Sequence, residues 1–339
     1  MTQPATGQGT PPVLSIPGLA PELRERVLGG MARVEALLSA RVAADDPFVA
    51  EASGHLLAAG GKRFRPLLTL LVAELGAGAT DEVVAAAAGV ELTHLASLYH
   101  DDVMDEADVR RGAPSANARY GNSTAILVGD LLFGTASDIV ADLGPQAVKI
   151  QARTFVRLCS GQIRDERPCP DGTDPVEYHL GVLADKTGVL IATAARYGAM
   201  FAGCPQDVVA MATEYGERLG MAFQLADDLI DIGSEGEESG KTPGTDLREG
   251  KRTLPVLHAL ASTDRADDRL KELLTGDLDD DARLAEALTL LRGHRAMDEA
   301  REQTRAVARR AVEVLEPLPA SEAKDALVAL ASGVVERVG

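Results

Sequence analysis

Residues 81–105 read DEVVAAAAGVELTHLASLYHDDVMD, a long apolar run that ends in three aspartates. Residues 81–100 contain almost no helix breaker, and Ala and Leu lead the helix-propensity scale. An apolar segment without a polar face is typical of a helix that is buried at the centre of a protein. The stretch therefore predicts a central buried helix over 81–100 that presents Asp101, Asp102 and Asp105 at its end.

A second copy of this acidic pattern lies farther along the chain. Residues 223–233 read FQLADDLIDIG and carry Asp227, Asp228 and Asp231, again as D-D-x-x-D at the end of an apolar helical stretch. Residues i and i+4 share a helix face, so the first and last carboxylates of each motif repel each other unless a cation lies between them. One such motif in an acidic chain is often only a solvated charge run. Two copies on apolar helices favour a site for two or three Mg²⁺ ions between facing helices, because Mg²⁺ prefers carboxylate oxygens together with substrate phosphates.

The composition supports an all-α fold. Hydrophobic residues make up 45% of the 339 residues, but aromatic residues only 3%, and Trp is absent. Ala, Leu and Val must therefore fill the core. Helical periodicity runs through residues 21–339, with no convincing strand pattern. We expect residues 1–20, which are rich in Pro, Gly, Thr and Gln, to be a disordered leader and residues 21–339 to form a single all-helical domain.

The boundaries of individual helices follow from apolar periodicity and from the breakers between them. In addition to 81–100, we expect helices over 123–142, 145–165, 175–203, 206–232, 252–262, 281–292, 297–315 and 321–337. The segments 110–122, 167–175 and 233–251 are predicted to be loops. A loop as long as 233–251 is usually functional or disordered when it occurs in a compact domain.

The net charge of −18 limits the partners of the protein. Nucleic acids and anionic lipid surfaces bind through dense positive charge, so we expect neither as a partner. No stretch approaches 18 uninterrupted apolar residues, and we expect no membrane span. The N-terminus has neither the basic start nor the apolar run of a signal peptide. The three cysteines, Cys159, Cys169 and Cys204, form no C-x-x-C pair, which fits a reducing cytoplasm.

Basic residues cluster at a few separate points of this acidic chain. Residues 60–66 read GGKRFRP and carry Lys62 and Arg65 between two glycines and a proline, which suggests a fixed backbone. Further basic positions are Arg110, Arg111, Lys186, Lys241 and Lys251. Taken singly, each is typical of a surface charge. Arg and Lys together with metal ions are also the standard means of holding diphosphates.

Together, these motifs resemble those of the trans-isoprenyl diphosphate synthase family, also called polyprenyl synthetases. The matching segments occur in the family's order: GGKRFRP (60–66), ELTHLASLYHDDVMDEADVRRG (91–112), GDLLF (129–133), DKTGVLI (185–191) and FQLADDLIDIGSEGEESGKTPGTDLREGKRTLP (223–255). The resemblance covers the chain from about residue 50 to 260. It implies an isoprenoid-synthase-type helical bundle around a central cavity, in an enzyme that is usually a homodimer.

The resemblance also implies a role for each matching residue. The six aspartates would bind Mg²⁺, with Asp101, Asp105 and Asp227 as the expected direct ligands, and would be catalytic together with Lys186 and Lys241. The allylic diphosphate would contact Arg110, Lys186, Thr187, Gln224, Lys241 and Lys251. Isopentenyl diphosphate would be held by Lys62, Arg65, His94 and Arg111. From the sequence alone, His94 could equally be a buried core histidine, and we expect His100 to be structural.

The implied reaction joins isopentenyl diphosphate to an allylic diphosphate. Mg²⁺ and the basic side chains would stabilise the departing diphosphate, the C=C bond of isopentenyl diphosphate would attack the allylic cation, and the released diphosphate would take the proton. Ala96 and Ser97, five and four residues before Asp101, are small, and the first motif lacks a two-residue insertion. Both features resemble the medium- and long-chain branch and predict an all-trans product longer than C20. A floor supplied by 131–133 of a facing helix would instead give a farnesyl or geranylgeranyl diphosphate synthase.

Three other classes of protein share part of this pattern. A terpene cyclase uses acidic metal motifs on a helical fold, but it would lack GGKRFRP and the Arg110–Arg111 pair, which serve a second diphosphate. A non-catalytic partner subunit would be expected to have lost carboxylates, and all six are present. A metal phosphohydrolase would usually show His ligands among the carboxylates. The sequence therefore favours the synthase over these three classes.

Overall fold

The computed structural model describes residues 18–234 and 243–336. Across these ranges the chain is almost entirely helical, which confirms the all-α fold class. The helices are α1 (Pro21–Val42), α2 (Pro47–Ala58), α3 (Phe64–Ala73), α4 (Asp81–Met104), α5 (Ala116–Tyr120), α6 (Asn122–Asp142), α7 (Pro145–Asp165), α8 (Pro175–Leu183), α9 (Val189–Phe201), α10 (Gln206–Gly233), α11 (Thr245–Arg248), α12 (Leu254–Ala261), α13 (Asp268–Thr275), α14 (Asp281–Arg292), α15 (Arg295–Val314) and α16 (Glu322–Glu336). The remaining elements are a π-helical turn (Ala184–Gly188), a 3₁₀ turn (Arg265–Asp267) and two short strands, β1 (Val109–Arg110) and β2 (Ala113–Pro114).

The prediction of a plain loop over 110–122 is wrong. β1 and β2 pair there as an antiparallel hairpin, and α5 follows directly. The two residues between the strands, Arg111 and Gly112, have φ values of +55° and +75°. Positive φ at both positions is the type I′ geometry that matches the twist of a hairpin. Strands of two residues are too short to leave an alternating apolar pattern in the sequence.

Two further predicted segments differ in detail from the structure. The helix predicted over 175–203 is interrupted by the π-helical turn and is therefore divided between α8 and α9. Within the loop predicted over 233–251, α11 forms a short helix, and residues 235–242 lie outside the described residues.

The chain divides into two compact units, each made of several stretches of sequence. In the described residues, the first unit comprises 18–155, 190–213 and 317–329. The second unit comprises 156–189, 214–234, 243–316 and 330–336. The single domain over 21–339 stays a prediction, and the leader predicted over 1–20 falls mostly outside the described residues.

The first unit is built around α4, which packs against α1, α3 and α6. Thr80 caps the helix, since its hydroxyl accepts a hydrogen bond from the Val83 amide at 3.2 Å. Most of α4 is buried, and its small residues allow close packing. A Cβ atom at Gly89 would lie 2.8 Å from the side chain of Val140 in α6. The small residues of this run thus let α6 approach α4 closely.

The second unit packs α12 against α8 and α15, and α13 against α14. Aspartates fix the starts of several helices by accepting backbone hydrogen bonds. Asp174 accepts from the Glu177 amide at 2.8 Å before α8, and Asp280 accepts from the Arg283 amide at 2.9 Å before α14. These caps explain why the predicted start of each of the two helices agrees with the structure.

Helix α6 is, by length and composition alone, apolar enough to cross a membrane, with a mean hydropathy of 1.5 over its most apolar window. Core helices of soluble proteins pass the same test, so this is weak evidence for a membrane. The helix nevertheless exposes a row of large apolar side chains at Ile126, Leu127 and Leu131. The absence of a membrane span stays a prediction.

Candidate active site

The first acidic end, Asp101, Asp102 and Asp105, lies at the C-terminus of α4. The first two residues belong to the last turn, and the Asp105 amide donates to the Asp101 carbonyl at 2.8 Å. The partial negative charge of a helix C-terminus disfavours carboxylates by roughly 0.3–1 kcal/mol each. The last turn of α4, which the structure describes in full, contains no basic residue to offset this repulsion. A cation at this helix end would relieve it.

Asp102 differs from the other two aspartates because it is fully buried. One of its oxygens accepts from Arg110 Nε at 2.6 Å, and the other accepts from the Ala116 amide at 3.1 Å. The carboxylate therefore ties the end of α4 to the hairpin and to α5. Arg110 Nη2 also lies 3.6 Å from Asp105 Oδ2. Asp102 thus has a structural role that the spacing of the motif did not predict.

The GGKRFRP segment forms a tight turn before α3. Gly60 and Gly61 have φ values of +88° and +131°, a region that favours glycine. A Cβ atom at Gly61 would lie 2.8 Å from the guanidinium carbon of Arg111. Arg111 in turn donates to the carbonyl oxygens of Leu56, at 2.9 Å, and Gly60. The positive φ favours glycine at this position, and the lack of a side chain lets this arginine lie against the backbone of the turn.

Arg63, Arg65 and Arg111 form a cationic cluster around Glu91 and His94. Burial lowers the pKa of the Arg65 guanidinium to about 10, although Glu91 partly offsets this effect. Burial, and after it the charges of Arg65 and Arg111, hold the pKa of His94 well below its usual 6.5. The imidazole is thus neutral, and positive charge is in excess around it. Such a cluster attracts a multiply charged anion.

Three of the residues predicted to hold isopentenyl diphosphate, Arg65, His94 and Arg111, are thus brought together, and Lys62 is exposed on the same turn. Sequence reasoning missed Arg63 and Glu91, which are both buried and lie 3.3 Å apart. A lone glutamate inside an apolar helix was the available signal, since buried carboxylates need cationic partners.

The second acidic end, Asp227, Asp228 and Asp231, lies in the last turns of α10. Asp228 is only 5% exposed. Gln224 Nε2 donates to its Oδ1 at 3.0 Å, and His179 Nε2 lies 3.9 Å from its Oδ2. Burial raises the pKa of Asp228 to about 7, and the neighbouring carboxylates add to the shift. The last turn of α10, all of which is described, also lacks a basic residue.

Asp231 connects this helix end to the segment that follows it. Its Oδ2 accepts from the Asp246 amide at 3.2 Å, at the start of α11. Lys251 lies 2.6 Å from Glu249 and 3.6 Å from Asp246. Lys251 is thus brought into the same local region as the second acidic end. Lys241, which was predicted to contact the same substrate, lies outside the described residues.

The π-helical turn presents two of the predicted substrate-binding residues. Thr187 Oγ1 donates to Gln224 Oε1 at 3.3 Å, so a chain of hydrogen bonds connects it to Asp228. Lys186 Nζ lies 2.7 Å from Asp165 Oδ2. Single π turns within α-helices frequently occur at functional sites. The turn therefore connects Thr187, through Gln224 of α10, to the second acidic end.

Helix α7 holds the π-helical turn in place. Arg157 and Arg164 donate to the two oxygens of Asp185, at 2.8 and 3.0 Å. A Cβ atom at Gly161 would lie 2.5 Å from the Lys186 amide nitrogen, so only glycine permits this approach. The sequence assigned no role to Asp185 or His179, because each acts through contacts that are distant in the chain.

The arrangement of the carboxylates determines how a metal ion could be held. Within 18–234 and 243–336, no three His, Cys, Asp or Glu side chains converge closely enough to enclose an ion. Mg²⁺ is commonly held by one or two carboxylates with waters and substrate phosphates, so a closed protein cage is not required. Each acidic end offers oxygen ligands at the negative end of a helix, and this donor set fits a hard divalent cation.

An all-helical protein with two D-D-x-x-D helix ends and a separate cationic cluster has the features of an enzyme that acts on diphosphates. The sequence matches the family described as polyprenyl synthetase over residues 46–291. A nonaprenyl diphosphate synthase of Mycobacterium tuberculosis is 49% identical over 314 residues, covering 92% of this chain and 94% of the relative.

Solved structures give the same result. A geranylgeranyl pyrophosphate synthase from Corynebacterium glutamicum, complexed with calcium and isoprenyl diphosphate, has a TM-score of 0.84 and 43% identity, covering 94% of this chain and 98% of that one. A decaprenyl diphosphate synthase from Rhodobacter capsulatus has a TM-score of 0.85 and 35% identity, covering 94% and 99%.

The chain belongs to the polyprenyl synthetase family. It is a prenyltransferase of isoprenoid biosynthesis, and the resemblance drawn from its motifs is confirmed.

Proposed function

We propose that this enzyme condenses isopentenyl diphosphate with an allylic diphosphate, in a Mg²⁺-dependent reaction, to make an all-trans polyprenyl diphosphate longer than C20. The observation that carries the proposal is the cationic cluster around the neutral His94 in a protein whose α4 and α10 both end in three carboxylates. One diphosphate needs cationic side chains, and the other needs carboxylates that can hold metal ions.

The six aspartates are proposed to hold two or three Mg²⁺ ions, with Asp101, Asp105 and Asp227 as direct ligands. Supporting this, the Corynebacterium glutamicum structure is described as a complex with calcium, another hard divalent cation. When bound, the ions would supply charge stabilisation to the departing diphosphate. Asp102 would act through Arg110, which it holds at 2.6 Å.

The basic and polar residues are proposed to orient the two substrates. Lys62, Arg65, His94 and Arg111 would hold the diphosphate of isopentenyl diphosphate; Arg110, Lys186, Thr187, Gln224, Lys241 and Lys251 would hold that of the allylic substrate. A neutral His94 would donate one hydrogen bond to a phosphate oxygen without competing for a proton. Lys186 and Lys241 would stabilise the negative charge that develops on the leaving diphosphate.

The packing of α4 supports a long product and identifies which side chain would limit it. Ser97 is partly exposed, and it shares a helix face with Asp101 and Thr93, four residues on either side. Ala96 is fully buried and lies on the face of His100, whose ring Nε2 donates to the Ile126 carbonyl oxygen in α6. Ser97 is therefore the residue beside which a growing chain would pass, and its small size leaves room.

Product analysis tests this function. The protein should be incubated with Mg²⁺, isopentenyl diphosphate in excess and each of the C5, C10, C15 and C20 allylic primers, and the products sized by mass spectrometry. We expect chains longer than C20 from the wild type and shorter chains from Ser97→Phe. A matched Ala96→Phe variant should instead lower the free energy of unfolding by about 1–3 kcal/mol, because the larger side chain overpacks the contact with α6. A wild type that stops at C20 or below would contradict the long-chain proposal.

A short-chain synthase is the second candidate, and one feature of the first unit favours it. A small cavity beyond Ser97 is bounded by Gly89, Thr93, Val140 and Tyr197. These residues would close the path of the growing chain at that depth if they do not move. The relative with a solved structure at 43% identity is described as a geranylgeranyl pyrophosphate synthase. The same product analysis distinguishes the two.

We further propose a cytoplasmic homodimer in which residues 21–339 function as one domain and no segment spans a membrane. The exposed apolar row on α6, Ile126, Leu127 and Leu131, supports burial against a second copy. The free cysteines Cys159, Cys169 and Cys204 are consistent with a reducing compartment. Light scattering of the wild type beside Leu127→Asp would test the assembly: a dimer should become a monomer.

A further inference from the structure

Glu91 is a buried carboxylate that no proposed role uses. It is 1% exposed and lies in the apolar centre of α4. Its Oε1 lies 3.3 Å from Arg63 Nη1. Its Oε2 is buried and has no hydrogen-bond partner among the described residues. A buried anion that is only partly hydrogen-bonded is unfavourable unless nearby cations compensate for it.

The compensation from Arg63 is limited, because this arginine already has several other partners. Its Nε donates to Glu35 at 2.6 Å, and its terminal nitrogens donate to the carbonyl oxygens of Gly60 and Leu57 at 3.0 and 2.9 Å. Its own backbone has a φ of +47°. Arg63 therefore stabilises the turn through these hydrogen bonds and cannot fully neutralise Glu91.

Arg65 and Arg111 are the other cations that feel the charge of Glu91. Among charged groups, Glu91 has the largest influence on each of them, and it favours the charged form of both. Arg65 Nε is also buried without a hydrogen-bond partner in the described part of the chain. In the substrate-free protein, Glu91 therefore acts as the counter-charge of the two arginines assigned to isopentenyl diphosphate.

We propose that Glu91 stabilises the substrate-free protein and weakens diphosphate binding, so that it sets the affinity for isopentenyl diphosphate without touching it. The proposal rests on the assignment of Arg65 and Arg111 to that substrate. Glu91 is a positioning residue, since it acts only through these arginines.

The sign of the effect follows from the charges. The carboxylate holds Arg65 and Arg111 when no anion is bound, and it repels the diphosphate that replaces it as their partner. In general, two unit charges about 10 Å apart at an effective dielectric constant of about 20 alter an affinity about tenfold, and we expect an effect of this order. Removing the charge should therefore strengthen binding and destabilise the empty protein. A merely structural role predicts that both affinity and stability fall.

Glu91→Gln tests the proposal because it removes the charge and keeps the shape. Calorimetric titration with inorganic diphosphate, and separately with isopentenyl diphosphate, should give a dissociation constant about tenfold lower than that of the wild type. The melting temperature of the substrate-free variant should be lower, and the increase on adding diphosphate should be larger. Unchanged or weaker binding by the variant would overturn the proposal.

Two further variants isolate the charge. Glu35→Gln removes the other carboxylate partner of Arg63, but that side chain is 41% exposed and screened by solvent. Its affinity for diphosphate should stay within about twofold of the wild type. Glu91→Asp keeps the charge and shortens the side chain, so affinity should stay near the wild-type value even if stability falls. Tighter binding by Glu91→Asp would contradict a role for charge.

If Glu91→Gln does not fold on its own, refolding in excess diphosphate tests the proposed role of Glu91. Recovery of folded protein supports the proposal, because the anion then replaces the missing counter-charge, and no recovery overturns it. A wild type that fails to bind isopentenyl diphosphate would overturn the proposed function instead. The comparison with inorganic diphosphate would still decide the role of Glu91.

Discussion

The two acidic helix ends have the same three aspartates at the same spacing, but the protein surrounds them differently. At the end of α4, the buried Asp102 pairs with the guanidinium of Arg110 at 2.6 Å. At the end of α10, the buried Asp228 receives an amide hydrogen from Gln224, and the nearby His179 is neutral because burial lowers its pKa to about 4. The first end thus has its own cation, whereas no cation among the described residues pairs with the buried carboxylate of the second.

This difference shows that motif spacing determines where carboxylates lie but not how their charge is balanced. The second end retains a proton on Asp228 up to about pH 7, since its folded surroundings disfavour the charged form. We expect it to depend more on bound metal for its stability than the first end does. Four predictions test or refine this comparison.

The largest expected effect is on turnover. Asp101→Ala and Asp227→Ala each remove a proposed metal ligand and should lower kcat by about 10²–10³-fold or more, the range for losing one element of charge stabilisation. Steady-state assays with Mg²⁺ would measure this, and circular dichroism would show that both variants remain folded. Near-normal turnover in either variant would remove that helix end from the metal site.

The second prediction concerns stability. Arg110→Met leaves the buried Asp102 without its cation and should lower the free energy of unfolding by about 2–3 kcal/mol, less than for a fully buried pair because Arg110 is 28% exposed. Gln224→Leu removes a neutral hydrogen bond from Asp228 and should cost only about 1 kcal/mol. Urea unfolding measures both. Equal losses would mean that the two ends are balanced in the same way.

The third prediction concerns substrate affinity. Lys62→Ala and Arg65→Ala should raise KM for isopentenyl diphosphate about ten- to a hundredfold, since a charge-assisted contact is worth roughly 1.5–3 kcal/mol. Lys186→Ala should raise KM for the allylic substrate by a similar factor. Each variant should change the other substrate's KM far less. If all three variants weakened both substrates equally, the separation into two diphosphate sites would be wrong.

The smallest expected effect is a pH dependence that arises from Asp228. Its pKa is raised from 3.8 to about 7 in the folded protein, so the folded state binds this proton more tightly than the unfolded state does. Its contribution favours folding at low pH and is lost as the pH rises through 7, by about 1–2 kcal/mol between pH 6 and 8. Metal-free Asp228→Asn should therefore lose less stability than the wild type over that range. Identical pH profiles would contradict this account.

The sequence was sufficient to predict the helical fold and the two acidic ends. Apolar periodicity and the breakers around it give the bounds of α7 and α14, and the aspartates lie at or near the C-termini of α4 and α10. These features depend on neighbours within a few residues, which periodicity and capping rules describe well. The assembly of Arg65, His94 and Arg111 was also predicted, although from a resemblance to a family and not from spacing.

The remaining features depend on contacts between distant segments. The hairpin is held by Asp102, which accepts from Arg110 and from the start of α5. The π-helical turn is held by Asp185, whose partners lie on α7. The buried position of Glu91 depends on a turn 28 residues earlier in the chain. No local pattern in the sequence describes such pairings, so these contacts emerge only from the structure.

The geometry at Arg63 also determines how far this position can tolerate mutation. Its left-handed backbone suits Gly or Asn, whereas its side chain must reach Glu35 and the Leu57 carbonyl with a planar, forked donor group. Lys keeps the charge but not the fork. Gly or Asn would suit the backbone but would lose these side-chain hydrogen bonds, and no other amino acid supplies the forked donor, so a saturation library at this position should return arginine almost alone. The adjacent and exposed Lys62 should accept any replacement that keeps a positive charge.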